Sequence, residues 1–571
     1  MRVASVIAAK NQGKKVSALP DRSCTGIDLP GLLDKSRTIA GPGFNRWLVP
    51  PAALAIHLCI GMSYGFSVFW LPLSRALGSS VAVCGKDESF WAELLTTSCN
   101  WRVATLGWMF TLFFVFLGCT AALWGTWIEH AGPRKAGVVS ALCWCGGMLL
   151  SALGIHLHQF WMMILGSGVV GGIGLGLGYL SPVSTLIKWF PDRRGMATGM
   201  AIMGFGGGAM IGSPLAYDLI KFFATPTDVG VMKTFVVMGL VYFAFMLSGA
   251  FGYRIPPSGW KPASWTAPTA NLTNIMITQG NVHVRRVWGI PQFWLIWIAL
   301  CMNVSAGIGV IGMASPMLQE VFGGSLIGVA KPFADLDQSQ LTAIAGVAAG
   351  FAALLSLFNI GGRFVWASLS DKLGRKFTYS LFFVLGALLY SSLPASASAG
   401  SQLLFVTAAC IILSMYGGGF ATLPAYLADL FGTQMVGPIF GRLLTAWATA
   451  GILGPVVVNY MREYQLGLGL PREQVYNQTM LVLAGMLVVG FICNLLVKPV
   501  DPKFFMSSEE LEMEKRLAHD RTPTHFAAAL MSPLDALPTT ALAVAAAWAA
   551  VGVPMAWGIY RTVLSGANFF R

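Results

Sequence analysis

Apolar residues run through this chain in long blocks, with neither the alternation of a half-buried strand nor the narrow stripe of a surface helix. About 20 mostly apolar residues are needed to cross roughly 30 Å of hydrocarbon. Twelve blocks of that kind fill the main body, at about 50–77, 103–127, 136–157, 160–187, 195–220, 234–254, 291–317, 341–367, 377–398, 402–430, 437–460 and 478–498. A thirteenth follows a polar stretch, at about 538–560. The pattern predicts an all-α polytopic membrane protein. Residues 1–46 are polar and rich in turn formers, as expected of a basic arm. In the polar stretch, Ser507 and Glu510 have the spacing of a capping box that opens a short charged helix through about Asp520.

Composition agrees and excludes the alternatives. Of 571 residues, 37 are Lys or Arg and 24 are Asp or Glu, so 11% are charged. A soluble domain carries roughly 25%. With 55% hydrophobic residues and a mean hydropathy of +0.67, the chain cannot cover a water-facing surface, which excludes a soluble enzyme. Apolar content also excludes disorder, and the 66 glycines lack a collagen period.

The net charge of +13 is a topology signal, and no nucleic-acid partner is expected. Residues 1–46 hold eight basic and three acidic side chains, which places the N-terminus in the cytoplasm of a plasma (inner) membrane protein. Arg134, Lys135, Lys188, Arg193, Arg194, Arg285, Arg286, Lys372, Arg375 and Lys376 then fall on the same side. The loops with Asp87, Glu88 and Glu93, and with Glu320, Asp335 and Asp337, fall outside. Basic residues before the thirteenth block favour an external C-terminus. No cleavable signal is expected, since the apolar run at 3–9 is too short. Ten cysteines form no metal framework, and the spacing of Cys143 and Cys145 suits neither zinc nor redox pairs. Cys84 and Cys99 share one polar segment, and a disulfide between them is an open possibility if it faces an oxidising compartment.

An internal repeat organises the body. Glu129 and Asp371 lie 242 residues apart, and the same offset pairs Gly132 with Gly374, Ser63 with Ser305, Gly65 with Gly307, Pro182 with Pro424, Gly195 with Gly437, Gly199 with Gly441 and Gly212 with Gly454. The reading is two six-helix halves, 47–254 and 291–498, joined by a cytoplasmic linker at 255–290. A basic arm (1–46), a charged cytoplasmic tail (499–537) and an extra span (538–571) flank them. Parallel halves of this kind place a substrate site near the bilayer midplane.

Two loops carry a family resemblance, the one with Glu129, Gly132, Arg134 and Lys135, and the one with Asp371, Gly374, Arg375 and Lys376. They resemble the signature loop of the major facilitator superfamily. The second copy is the closer match; the first has Glu for Asp and Pro133 for a basic residue. The likeness spans about 48–498 and implies that these carboxylates and arginines (Glu129, Arg134, Asp371, Arg375) latch the halves together. Tyr179 to Pro182 leading to Lys188 and Gly195, then Asn359, Gly362 and Arg363, then Thr445, Trp447, Gly451, Gly454 and Pro455 resemble the oxalate/formate antiporter group. The thirteenth block, with Gly552, Pro554 and Trp557, resembles a single-span small subunit that accompanies some of these carriers.

Charged residues inside spans are costly and usually functional. Deep in the membrane the blocks contain one, Arg363, about 12 Å from Asp371 at 1.5 Å per residue. Its guanidinium could hold a carboxylate, or serve structure by bonding carbonyls. The resemblance favours substrate binding. It also implies a second basic residue on span eleven, which is missing between Arg442 and Arg462. A lone cation suits a monocarboxylate. Asn359 stands one turn before Arg363, where animal-type monocarboxylate carriers have an aspartate. No acid is expected mid-span, with Asp218 and Asp429 near helix ends, so exchange or uniport is favoured over proton symport. His57 reads as a packed histidine that could titrate.

Tyr64, Trp70, Tyr179, Tyr416, Tyr426 and Trp447 could surround the substrate, with Tyr179, Tyr416 and Trp447 preferred. Gly168, Gly172 and Gly176, and Gly204, Gly208 and Gly212, are stripes that would let helices approach and slide. The glycine run at 172–178 is not a dinucleotide loop, because no strand precedes it. The glycosylation pattern at Asn271 faces the cytoplasm and is expected to be idle. No metal site and no cofactor is expected, nor any catalytic residue. The expectation is a secondary carrier of small carboxylates such as formate, pyruvate or lactate, functional as a monomer in the bilayer. Alternatives are oxalate/formate exchange, an anion channel, a transporter-like sensor, or a facilitator of a drug or sugar.

Overall fold

A computed structural model describes residues 31–567 apart from 79–80, 86–87, 191–193, 226–227, 258–259, 263–275, 279 and 521–538. Asn271 and the side chain of Glu129 lie outside the described residues. The chain is almost wholly helical. We number α1 Arg46–Leu73, α2 Val103–Ala131, α3 Pro133–His156, α4 Phe160–Leu186, α5 Arg194–Phe223, α6 Val231–Gly252, α7 Pro291–Phe322, α8 Gln338–Leu373, α9 Arg375–Ser398, α10 Gln402–Phe431, α11 Val436–Gly467 and α12 Asn477–Leu496. The extra helix, α13, covers Ala541–Ala567. Among the described residues twelve helices are long and apolar enough to cross a membrane, and the 30-residue α5 is a further long helix in the same bundle.

The repeat is visible in the backbone. Gly132 and Gly374, partners at the 242-residue offset, turn the chain between α2 and α3 and between α8 and α9 with φ of 83° and 86°. Only glycine adopts that left-handed conformation without a Cβ penalty. The halves meet along α2 with α11 and α5 with α8, the two pairings that half-exchange symmetry makes equivalent. On the axis α1 meets α7, where Trp70 Nε1 donates to the Gly312 carbonyl at 2.8 Å, again across the repeat offset. A 3-10 stretch at Gly61–Phe69 tightens α1 here, and α1 is buried throughout 49–70.

The glycine stripes pack closely, each against a helix of its own half. Gly168, Gly172 and Gly176 face Leu112, Phe116, Leu117 and Thr120 of α2. Gly204, Gly208 and Gly212 face His57, Gly61 and Met62 of α1. Both stripes therefore bind helices within one half. Gly206 and Gly207, between stripe positions, are the ones turned to Asn359, Ile360 and Arg363 of the other half.

Two helix ends run further than their apolar blocks. α7 continues to Phe322 and takes Glu320 out of the expected loop, and α11 continues to Gly467 and takes in Arg462. The two side chains meet, so helix extends through charges that neutralise each other. Next to this end lies the α1–α2 segment, closed by a Cys84–Cys99 disulfide with Cα atoms 5.1 Å apart. His158, at φ 48°, stacks on Trp101 at 4.0 Å and bonds the Cys99 carbonyl at 2.9 Å. A loop of 15 residues closed this way gains about 3 kcal/mol in the chain-entropy account. Cys84→Ser is expected to lower the thermal midpoint in detergent, and reductant to lower that of the unsubstituted protein equally. Midpoints indifferent to both would show the bond to be stabilising nothing.

At the opposite end, the segment after α12 docks on the linker. Met506 N donates to the Asn281 carbonyl at 2.8 Å, and a short helix, Ser508–Asp520, is reciprocally capped by Ser507 and Glu510. Arg286 binds Glu510 at 2.6 Å. α13 lies against α1, α5 and α8. Trp548 Nε1 donates to the Trp47 carbonyl at 3.0 Å, Gly558 touches Met210 and Ile211, Ser565 packs on Gly350, and Arg561 grips both oxygens of Asp218 at 2.7 and 3.1 Å.

Candidate functional site

The site is built where α1, α4, α5, α8, α10 and α11 converge. Arg363 sits on α8 and is 1% exposed. Its Nε donates to Asn359 Oδ1 at 3.0 Å, one turn earlier on the helix. Its Nη1 donates to the Ile202 carbonyl of α5 at 3.0 Å. Such a bond needs close approach, and Gly206 supplies it: a Cβ there would stand 2.9 Å from Nε and 3.0 Å from Asn359 Oδ1. The guanidinium carbon lies 5.9 Å from the Phe420 ring centre.

Aromatic rings close around this cation. Tyr64 and Tyr416 join α1 to α10 through their hydroxyls at 2.7 Å. Phe205 of α5 is the hub, with ring centres 4.9 Å from Tyr64, 5.3 Å from Tyr179 and 5.6 Å from Trp447. Tyr179 meets Trp447 edge-on at 5.1 Å, and Phe114 stacks on Trp447 at 5.6 Å. The phenols of Tyr64, Tyr179 and Tyr416 all lie within electrostatic range of Arg363. His57 stacks on Tyr179 at 5.5 Å and its Nε2 lies 3.2 Å from the Tyr179 carbonyl, so it is a packed histidine.

Three buried donors are left over. Arg363 Nη2, the Tyr179 hydroxyl and Trp447 Nε1 have no hydrogen-bond acceptor among the described residues. Each unsatisfied buried group costs about 1–3 kcal/mol, more when charged. A cation with two spare donors beside it is chemically complementary to an anion rich in lone pairs, and a carboxylate has that chemistry. The void beside Tyr64, Ser356 and Asn359 holds only about 10 Å³, room for about one water. With ring centres 4.9, 5.3 and 5.6 Å from Phe205 the rings are packed on one another, and the helices would have to part for a substrate to enter.

Arg363, Asn359, Tyr64, Tyr179, Tyr416 and Trp447 are brought together; Trp70 and Tyr426 are not. Trp70 bonds α7, and the Tyr426 hydroxyl lies 3.2 Å from Asn494 Oδ1. The basic residues near the two ends of α11 do not reach the site either. Arg442 donates to the Val284 carbonyl, and Arg462 pairs with Glu320. The loop residues contact their own half or the N-terminal arm in this conformation. Arg375 binds Asp371 and lies 3.8 Å from Asp429, while Arg134 donates to the Leu32 carbonyl and stands over the Phe251 ring.

Sequence reasoning missed Phe205, Phe114 and Phe420. Phe205 carried a signal, being one large residue inside a run of glycines at 204–208. It also missed a second buried charge cluster. Glu320, fully buried, accepts from Arg462 Nε at 2.8 Å, Arg472 Nη1 at 2.6 Å and the Tyr476 hydroxyl at 2.7 Å.

Comparison with known proteins gives these features a context. A profile described as Major Facilitator Superfamily matches residues 52–455. The chain is 25% identical over 411 residues to the oxalate:formate antiporter of Oxalobacter formigenes, covering 72% of this chain and 83% of that one. It is 24% identical over 450 residues to apicoplast pyruvate carrier 1 of Toxoplasma gondii, covering 68% and 78%. In fold it is similar to a bacterial homologue of the human lysosomal transporter Spinster, with a TM-score of 0.55 at 15% identity, covering 81% and 98%. The E. coli xylose transporter XylE gives a TM-score of 0.52 at 12% identity, covering 79% and 98%.

Proposed function

Because the chain belongs to the Major Facilitator Superfamily, and is therefore a membrane transporter and not an enzyme, we propose that its cargo is a small carboxylate anion moved by alternating access. The observation that carries this reading is the buried Arg363 guanidinium with a spare Nη2, beside the spare donors of Tyr179 and Trp447. One oxygen of a carboxylate would take the arginine and the other a phenol or indole N–H. The rings of Phe205, Tyr64 and Trp447 would line the apolar side and exclude water, which strengthens the charge-assisted bonds. The relatives named for oxalate, formate and pyruvate point to the same class.

A monoanion such as formate, pyruvate or lactate fits better than a dianion. Arg442 and Arg462 are committed elsewhere, so the second charge of oxalate would be buried without a partner. Oxalate/formate exchange is the second reading, favoured by the Oxalobacter relative. We place the disulfide end outside, the N-terminus in the cytoplasm of the plasma (inner) membrane, and the transport unit in one chain. The halves 47–254 and 291–498 would rock about the α1–α7 axis, with the signature-loop residues holding the cytoplasmic side.

Counterflow in proteoliposomes with labelled formate, pyruvate, lactate and oxalate, with and without a pH gradient, tests this. Saturable exchange of a monocarboxylate, faster than oxalate, is expected. Fast oxalate exchange would establish the second reading, and no counterflow of any carboxylate would overturn both.

A further inference from the structure

An opening lies away from the central site, at the disulfide end between α1, α5, α7 and α8. It measures about 350 Å³. Arg75, Lys221 and Asp228 are its charged side chains, with Tyr217, Gln319 and Gln338 among the polar ones. Asp228 is already engaged, taking the Gly230 N–H at 2.8 Å and lying 3.5 Å from Lys233. Arg75 and Lys221 differ. Neither has a carboxylate or carbonyl partner among the described residues, though Arg75 is partly buried at the end of α1. Burial, and the neighbouring positive charge of Arg472, hold Arg75 below the ordinary arginine range. A half-desolvated guanidinium beside another cation, in a cleft whose one carboxylate, Asp228, is held by Gly230 and Lys233, is short of an anion.

The floor of the cleft leads towards the central site. Val68 and Ala349 line the cleft, while Tyr64 on α1 and Asn359 on α8, the hydrogen-bond partner of Arg363, border the small void. Along the helix axes these steps are roughly 6 and 15 Å. Cleft and void are thus successive stations on the same faces of α1 and α8.

We infer that this cleft is a capture site for small carboxylate anions, in which Arg75 and Lys221 hold the substrate before it passes to Arg363. The inference rests on the carboxylate reading above and adds a second binding station to it. A half-buried arginine and an exposed lysine at the cleft raise the local anion concentration and speed encounter, and dissolved salt weakens the effect. The cleft acts only on substrate arriving from its own side.

The variants are Arg75→Gln, Lys221→Gln and the pair. None breaks an ion pair, and Arg75→Lys keeps the charge as a control. In right-side-out vesicles the double variant is expected to raise KM for uptake about 3- to 10-fold. The maximal rate and the KM for efflux stay unchanged, the salt dependence of uptake flattens, and Arg75→Lys restores most of the loss. An unchanged KM and salt dependence in the double variant would overturn the inference. A second measurement does not depend on transport. In an Arg363→Ala background, line broadening of ¹³C-formate by the full chain should persist and then vanish when Arg75→Gln and Lys221→Gln are added. Broadening that survives their addition also overturns the capture site. If the unsubstituted protein moves no carboxylate but this broadening behaves as expected, the transport reading fails and the cleft stands.

Discussion

Replacing Arg363 by alanine is expected to abolish carboxylate transport while the protein still reaches the membrane. The side chain is the one cation facing the ring-lined site among the described residues, and its Nη2 is unspent. Removing one partner of a buried ion pair costs about 3–5 kcal/mol, which is about a hundredfold or more in affinity. The substrate would otherwise bury its charge against aromatic rings alone. Arg363→Lys separates charge from shape. An ammonium keeps the charge but lacks the planar fork that serves Asn359, Ile202 and substrate together. It should retain transport at about a tenth of the rate or less. Counterflow measured beside membrane yield and gel-filtration profile decides the matter. Undiminished flux in Arg363→Ala would remove the arginine from the site.

The second large effect is on stability, 142 residues away in sequence from its partner. Glu320 is fully buried and Arg462 is 3% exposed, and their bidentate pair is completed by Arg472 and Tyr476. Glu320→Ala leaves the buried Arg462 guanidinium with only the half-exposed Glu463, at 3.0 Å, and a loss of up to about 3–5 kcal/mol is expected. Glu320→Leu combined with Arg462→Met removes both charges and should recover most of that, since an apolar pair of similar size is often as stable as the ions it replaces. Thermal midpoints in detergent test the pair. If the single and double variants melt alike, the loss comes from side-chain volume and not from the stranded charge.

The sequence made the helices and their pseudo-symmetry legible because membrane spans announce themselves by length, and repeated halves by one offset. Gly132 and Gly374 show why the offset was informative: both occupy a backbone conformation that glycine alone tolerates. Arg363 was legible for the same kind of reason, since a charge deep in an apolar block is rare. The ends of α7 and α11 were not. A block that stops at its first charges cannot foresee Glu320 finding Arg462, and it is that pairing which keeps the helix going. The stripe at Gly204, Gly208 and Gly212 announced close approach without saying to which helix. The answer, α1 of the same half, depends on tertiary packing. Phe205 was hidden for the opposite reason: glycines drew attention to themselves and away from the ring they frame.

Half-exchange makes the α2–α11 and α5–α8 seams equals, but α13 lies along only one of them. It is stitched to the first half through Asp218, Met210 and Trp47 and touches the second through Gly350. Parting α5 from α8 therefore strips apolar contacts from a third body, whereas parting α2 from α11 does not. The two seams cannot cost the same to open. If the halves rock as proposed, α13 would stiffen the α5–α8 seam and leave α2–α11 the easier edge to open.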